Sequence, residues 1–195
     1  MKIILYEDIF IKNNNYIKNI FISINNYFNQ QPSINFNFIE LNNNYPKKIE
    51  KCDIAIIWGI SQKVRPLTKY RNDIIKFQKI NGNKIIILET GFIQRDKYYS
   101  ISFNNFVGLG NYGNININDN SRLLKILPNY SKIIKKNGDN ILICGQLPWD
   151  TVLQDINYFE WLKNIINKLR RYTKRNIIFR HHPLLYGNYK NTEEV

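Results

Sequence analysis

The chain has 195 residues and 44% hydrophobic content, enough for one generous domain or for one domain and part of another. Its formal net charge of +13 invites a polyanionic partner, yet the basic residues are mostly Lys scattered through sequence rich in Asn, Ile, Tyr and Phe; charge spread this way steers polyanions weakly, so nucleic acid is a possible partner but not a favoured one. The two cysteines, Cys52 and Cys144, lie far apart beside apolar runs, which argues against a disulfide framework or a Cys-based metal site. No window approaches the ~18 consecutive apolar residues of a membrane span, so a soluble, cytoplasmic protein is expected.

In chain order, short apolar runs alternate with longer segments of helical period, the pattern of βαβ units around a parallel sheet. Strands are predicted at Lys2–Tyr6, Ile34–Leu41, Asp53–Trp58 and Lys84–Leu88, and later at Asn140–Cys144 and Asn176–Phe179. Between the first two, Tyr16, Ile17, Ile20, Phe21, Ile24 and Phe28 share one helical face; Ile74, Ile75 and Phe77 mark a second helix after Pro66. A third helix spans about Tyr158–Arg171, with Phe159, Leu162, Ile165, Ile166 and Leu169 apolar and cations accumulating toward its end, as the helix dipole favours. Residues 91–119 carry several Gly and many Asn without sustained period and read as a long loop system.

The expected fold class is therefore α/β. A Rossmann-like, parallel-sheet N-terminal domain would occupy residues 1–135, and a partial second α/β domain residues 136–195. The second reads as strand, helix, strand, and the closing Asn191-Thr192-Glu193-Glu194-Val195 resembles a helix start, as though the chain were a fragment or shortened copy of something longer.

Three polar constellations fall just after predicted strands, where doubly wound sheets bind ligands. Glu89-Thr90-Gly91-Phe92-Ile93-Gln94-Arg95 follows the fourth strand. Glu89 could act as general base, as nucleophile or as a holder of a sugar hydroxyl, with Gly91 allowing a sharp turn; equally, Glu89 could pair with Arg95 and merely fix that turn. Gly145-Gln146-Leu147-Pro148-Trp149-Asp150 follows the fifth strand. Gly145 and Gln146 can present amide groups to a phosphate or base near the positive end of the following helix, whereas Asp150 or Thr151 could serve only as its cap, or Asp150 only to form a turn. Trp149 could stack on a ring or be buried. Arg180-His181-His182-Pro183 ends the last strand and contains both histidines of the chain; Arg180 and His182 can bond a phosphate or carboxylate, and with no third ligand at a recognised spacing a zinc site is disfavoured. Structural, satisfied histidines are the plain alternative.

Other templates fail. No GxGxxG follows the first strand, no GxxxxGK[ST] occurs, Gly108-Leu109-Gly110-Asn111-Tyr112-Gly113 is glycine-rich without being diagnostic, and no GxSxG elbow or Cys/His pair supports a hydrolase nucleophile. In order and spacing, however, residues 84–183 resemble the capsule-polysaccharide synthesis proteins, the retaining Kdo-transferase-like glycosyltransferases of the two-domain GT-B type. That family shows a Glu-Asp-Gly-Phe-aliphatic-Arg stretch, a nearby Gly-Leu-Gly, a Gly-Gln-x-x-x-Asp after a strand and a Lys-Pro-His-Pro ending a later strand. The matches are Glu89, Gly91, Phe92 and Ile93, then Gly108-Leu109-Gly110, then Gly145, Gln146 and Asp150, and finally Arg180, His182 and Pro183. Gln94 stands where the family has arginine, with Arg95 one place later; Thr90 replaces an acid and His181 a proline.

The resemblance implies a GT-B fold that binds a nucleotide-sugar donor between its domains without a metal or other cofactor. Gly145, Gln146, Asp150, Arg180 and His182 would contact the donor. Glu89 would be the catalytic carboxylate of the acceptor-side domain, with Gly91 and Arg95 nearby and a glycan or other hydroxyl compound as acceptor. Two rival expectations come from other classes: a non-catalytic relative that binds a sugar nucleotide, and a basic nucleic-acid-binding module.

Overall fold

The computed structural model describes residues 1–8, 14–41, 49–60, 66–95, 97–105, 110–113, 119–129, 138–148, 150, 153, 156–185 and 193–194. The expectations placed on Gly108, Leu109, Trp149 and Thr151 lie outside them. The chain divides into two compact units, Met1–Asp119 and Asn120–Val195.

Among the described residues, the first unit is a five-stranded sheet with two helices. Its elements are β1 (Lys2–Asp8), α1 (Asn15–Asn29), β2 (Asn35–Leu41), β3 (Ile54–Trp58), α2 (Pro66–Ile80), β4 (Lys84–Thr90) and β5 (Tyr99–Phe103). The order across the sheet is β2-β1-β3-β4-β5. The first four strands are parallel, with Ile3 opposite Phe36 and Ile54, and Ile56 opposite Ile86. A strand inside a parallel sheet is covered on both faces and must be apolar at successive positions. The runs Ile3-Ile4-Leu5 and Ala55-Ile56-Ile57 meet that demand, and all six side chains are buried.

The two faces carry separate clusters. Ile3, Leu5, Ile56, Trp58 and Leu88 pack with Ile17 and Phe21 of α1, whereas Ile4, Tyr6, Ala55, Ile57, Ile85 and Ile87 pack with Ile74 and Ile75 of α2. Each fully buried Ile or Leu is worth about 1.5–3 kcal/mol relative to exposure, so these strands dominate the stability of the unit. The result is an α/β architecture with a mostly parallel central sheet, consistent with a Rossmann-like kind of fold. Strand order reverses direction at β1 and β3, and such a reversal opens a crevice outside the carboxyl ends of the strands. At the opposite end Gln78 is buried, and its amide donates to the carbonyls of Cys52 (3.3 Å) and Lys84 (3.4 Å).

β5 departs from the expected long loop. It runs antiparallel to β4 at the sheet edge, with Ile87 opposite Ser102 and Glu89 opposite Ser100. Its alternation is inverted relative to the usual signal: Ser102 is 1% exposed while Ile101 is 51% exposed. A strand that turns a serine to the core and an isoleucine to solvent is not announced by hydrophobic period.

The second unit contains the short helix α3 (Ser121–Ile126), then β6 (Asn140–Cys144), α4 (Tyr158–Arg170), β7 (Asn176–Arg180) and β8 (Glu193–Glu194), in the sheet order β6-β7-β8. β6 and β7 are parallel, with Leu142 opposite Ile178 and Cys144 opposite Arg180. Ile143, Ile177 and Phe179 pack with Tyr158, Trp161, Leu162, Ile165, Ile166 and Leu169 of α4, so one helix supplies the cover of this face. The expected helix start at the chain end is corrected: Glu193 and Glu194 pair antiparallel with Phe179 and Ile178. Backbone pairing with an open strand edge satisfies amides that one short helical turn would leave unbonded. No helix among the described residues is long and apolar enough to cross a membrane.

Candidate functional site

In the first unit the carboxyl ends of β3 and β4 bring Gly59, Glu89 and Arg71 together. Glu89 continues the alternation of Ile85 and Ile87, so it faces the α2 side of the sheet. Gly59 has φ +58°, and a Cβ built there would lie 3.1 Å from Glu89 Oε2 and 3.3 Å from Arg71 Nη1. A carboxylate and a guanidinium thus close over the same glycine, whose backbone geometry and missing side chain leave them the room. Arg71 is itself buried, which makes it a fixed positive group beside Glu89. Sequence reading missed Arg71 because an Arg on a helix ordinarily reads as solvent-facing, although here it shares the i, i+3, i+4, i+7 stripe of the buried Ile74, Ile75 and Gln78.

The other oxygen of Glu89 is committed locally. Oε1 accepts from the Thr90 backbone N–H (2.8 Å) and from the Thr90 hydroxyl (3.1 Å). Arg95 donates to Thr90 Oγ1 at 2.8 Å, so the expected direct pairing of Glu89 with Arg95 is replaced by a relay through Thr90. The reason is steric order: Thr90 is adjacent in the chain and its hydroxyl can accept from Arg95 while donating to Glu89.

Gly91 is explained by loop closure. Its N–H donates to the Tyr98 carbonyl at 2.7 Å, and a Cβ would fall 2.5 Å from that oxygen. The same carbonyl accepts from the Tyr16 hydroxyl, Tyr99 Oη donates to the Tyr16 carbonyl (2.6 Å), and the rings of Tyr16 and Tyr99 stack with centroids 4.5 Å apart. The segment after Glu89 is therefore latched to α1, and Phe92 is held exposed on it.

In the second unit the carboxyl ends of β6 and β7 carry the remaining candidates. The Gly145 N–H donates to the Arg180 carbonyl at 2.7 Å, which extends the ladder by one residue. A Cβ on Gly145 would meet Tyr158 Oη at 2.5 Å and Phe179 Cζ at 2.6 Å. Burial pushes the Tyr158 phenol above its ordinary value, and the Gln146 backbone N–H beside its oxygen works against that shift. The Gln146 side-chain Oε1 accepts from the Leu147 N–H at 3.0 Å. Arg180 is exposed, opposite Cys144 on β6.

His181 sets its ring edge-on to Phe179, with centroids 4.8 Å apart. His182 shapes its own turn: Nδ1 accepts from the Leu184 N–H (3.1 Å) and its carbonyl accepts from the Leu185 N–H (2.9 Å). An Nδ1 that accepts is unprotonated, so the proton of the neutral ring resides on Nε2, which is left as a donor.

Of the two plain readings of Asp150, helix capping and turn formation, the turn holds and the cap does not. α4 begins at Tyr158 and is capped by Asn157, whose side chain accepts from the Glu160 N–H at 3.2 Å. Asp150 instead belongs to preceding turns, with its N–H donating to Leu147 (2.9 Å) and its carbonyl accepting from Leu153 (2.9 Å). Asp150 lies seven positions before Asn157, too far for its side chain to reach the first amides of the helix.

Each unit thus places its candidates at the carboxyl ends of parallel strands: Glu89, Gly91 and Arg95 with Arg71 and Gly59 in the first, and Gly145, Gln146, Arg180 and His182 in the second. Among the described residues no three His, Cys, Asp or Glu side chains gather as a metal site. Comparison with protein-family models, with curated proteins and with solved structures returns no match.

Proposed function

We propose that this chain is a GT-B-type glycosyltransferase of polysaccharide-building kind, which moves a sugar from a nucleotide-activated donor to a glycan or other hydroxyl acceptor. The observation that supports the reading is the presence of two α/β units, each with polar groups at the carboxyl ends of its parallel strands. In the first unit the Glu89 carboxylate, steadied by Thr90 on one oxygen, takes the proton of the acceptor hydroxyl as that oxygen bonds to the anomeric carbon. The bond from the anomeric carbon to the donor phosphate breaks, and its electron pair leaves with the phosphate. Arg180 and the Nε2–H of His182 in the second unit then balance the charge that develops on the leaving group. Arg71 is a positioning residue, whose guanidinium closes over Gly59 beside Glu89 and aims the carboxylate.

A binding-only relative is the second reading, favoured by the local commitment of Gln146 Oε1 and His182 Nδ1 to their own loops. Turnover of a panel of nucleotide sugars separates the two. The transferase reading expects nucleotide release that falls about a hundredfold or more in Glu89→Gln, the usual weight of a general base. Turnover that is the same in wild type, Glu89→Gln and His182→Ala removes it, and thermal stabilisation by nucleotide without any turnover supports the binding-only relative.

A further inference from the structure

Residues 163–175 hold six of the 28 Lys and Arg of the chain, and no Asp or Glu occurs from 161 to 192. Charge that looks scattered along the sequence is thus gathered on the outer side of α4 and the turn into β7. The inner side of α4 is occupied, since Leu162, Ile165, Ile166 and Leu169 pack on the sheet of the second unit. Lys163, Asn164, Asn167, Lys168 and Arg171, at i, i+1, i+4, i+5 and i+8, are all exposed and share the outer side.

The plain role for cations at this end is to complement the helix dipole, but a helix C-terminus carries only about half an elementary charge. Arg170 already serves the turn: its Nη1 donates to the Arg175 carbonyl (2.6 Å), while the Thr173 hydroxyl accepts from the Arg175 N–H (3.1 Å). The turn so pinned leaves Lys174 exposed and Tyr172 80% exposed. Acids adjoin the two edges of the patch. Glu160 lies three residues before Lys163, and Asp139 lies one place before Asn140, which faces Asn176. Between those edges stand Lys168, Arg171 and Lys174, and among the described residues none of the three has an ion-pair partner.

From this ridge we infer that the protein binds duplex DNA through its phosphate backbone, without regard to sequence. The inference is independent of the transferase reading. Chemistry gives the first reason: a row of cations with Asn amides and a Tyr hydroxyl among them offers the donors that phosphate oxygens take, and Arg171 can bond one phosphate through two N–H groups. Shape gives the second. The outer side of a helix on a sheet is convex, and the major groove of B-DNA, about 12 Å wide, admits a helix of about 10–12 Å. Single strands lie in grooves with stacking aromatics, and the major groove of RNA duplexes is too narrow for side chains to read. The third reason separates DNA from an anionic membrane. A helix that binds a bilayer sinks its apolar face into the lipid, and that face of α4 is already covered by β6 and β7.

The test is the anisotropy of a fluorescent mixed-sequence DNA duplex, titrated with the full chain across a salt series. Three phosphate contacts give a fall of log K against log salt with a slope of about −2.7 or steeper. Arg171→Gln/Lys174→Gln should flatten that slope by about 1.8, and Arg171→Lys, which keeps the charge, should leave it unchanged. Lys76→Gln/Lys79→Gln, two exposed cations of α2, lowers net charge equally and should also leave it unchanged. In the wild type, amide NMR with the same duplex should shift Asn167 to Lys174, a readout that needs no variant. Glu89→Gln should bind the duplex as wild type does, so failure of the transferase reading leaves this result standing. A shallower wild-type slope overturns the inference, as does an equal slope in Arg171→Gln/Lys174→Gln or shifts that map elsewhere. Tighter binding of single strands, or binding of phosphatidylserine vesicles without binding of the duplex, overturns it too.

Discussion

Replacement of Gly145 by Ala separates two roles for a glycine at a strand end. The added methyl would sit 2.5 Å from Tyr158 Oη and 2.6 Å from Phe179 Cζ, well inside van der Waals contact. Both neighbours are buried in the core of the second unit, so neither can swing into solvent. Overpacking of this kind costs about 1–3 kcal/mol, and each kcal/mol lowers the melting temperature of a domain of 60–100 residues by about 4–8 °C. Hydrogen exchange in the peptides of β6, α4 and β7, measured across a urea series, reads that loss where it occurs. Gly145→Ala should lower protection in all three elements together and leave β1, β3 and β4 unchanged. The pair Gly145→Ala/Tyr158→Phe should recover only part of it, because removal of the hydroxyl leaves the Phe179 contact in place. Unchanged protection in Gly145→Ala, with a loss of nucleotide affinity alone, would refute the packing argument and assign the glycine to close approach of a ligand.

Thiol chemistry and the buried amide give further tests. Cys52 is buried and its pKa is raised above the ordinary thiol value chiefly by desolvation, whereas Cys144 is exposed. A disulfide reagent at pH 8 should therefore label Cys144 quickly and Cys52 only on denaturation; rapid labelling of both contradicts the burial. Since the folded thiol holds its proton more tightly than the unfolded one, stability is fully present below the unfolded pKa of about 8.5 and falls as pH rises toward the folded value. Cys52→Ala should flatten that alkaline decline in denaturation curves, while Tyr99 and Tyr158, whose phenols are also raised by burial, add a later decline that persists in the variant. Gln78→Leu strips the Cys52 and Lys84 carbonyls of a buried donor, at about 1–3 kcal/mol; a urea midpoint equal to that of wild type would contradict this.

The parallel strands were legible because both faces are covered, so Ile3-Ile4-Leu5 and Ile85-Ile86-Ile87-Leu88 announce themselves without any alternation. α1 and α4 were legible from apolar stripes, one of which, from Tyr158 on, contributes most of the core of its unit. β5 was not legible, because an edge strand can turn Ser102 inward when its backbone pairs with β4 and Tyr99 does the packing. At the candidate site, position was readable and partnership was not. Glu89, Gly145 and His182 stand at strand ends, as their sequence context implies. That Thr90 would come between Glu89 and Arg95, that Arg71 would close over Gly59, and that Asn157 would cap α4 instead of Asp150 all depend on distances that no local pattern encodes.

The roles proposed for Glu89 as base and for Arg180 and His182 as partners of the donor phosphate are tested most directly by measuring kcat and nucleotide affinity side by side. Glu89→Gln should lose about a hundredfold or more in kcat with nucleotide affinity held, and Arg180→Ala should weaken nucleotide binding about tenfold or more, as loss of a charge-assisted bond does. Turnover undiminished in Glu89→Gln, or nucleotide binding indifferent to both Arg180→Ala and His182→Ala, would contradict the account.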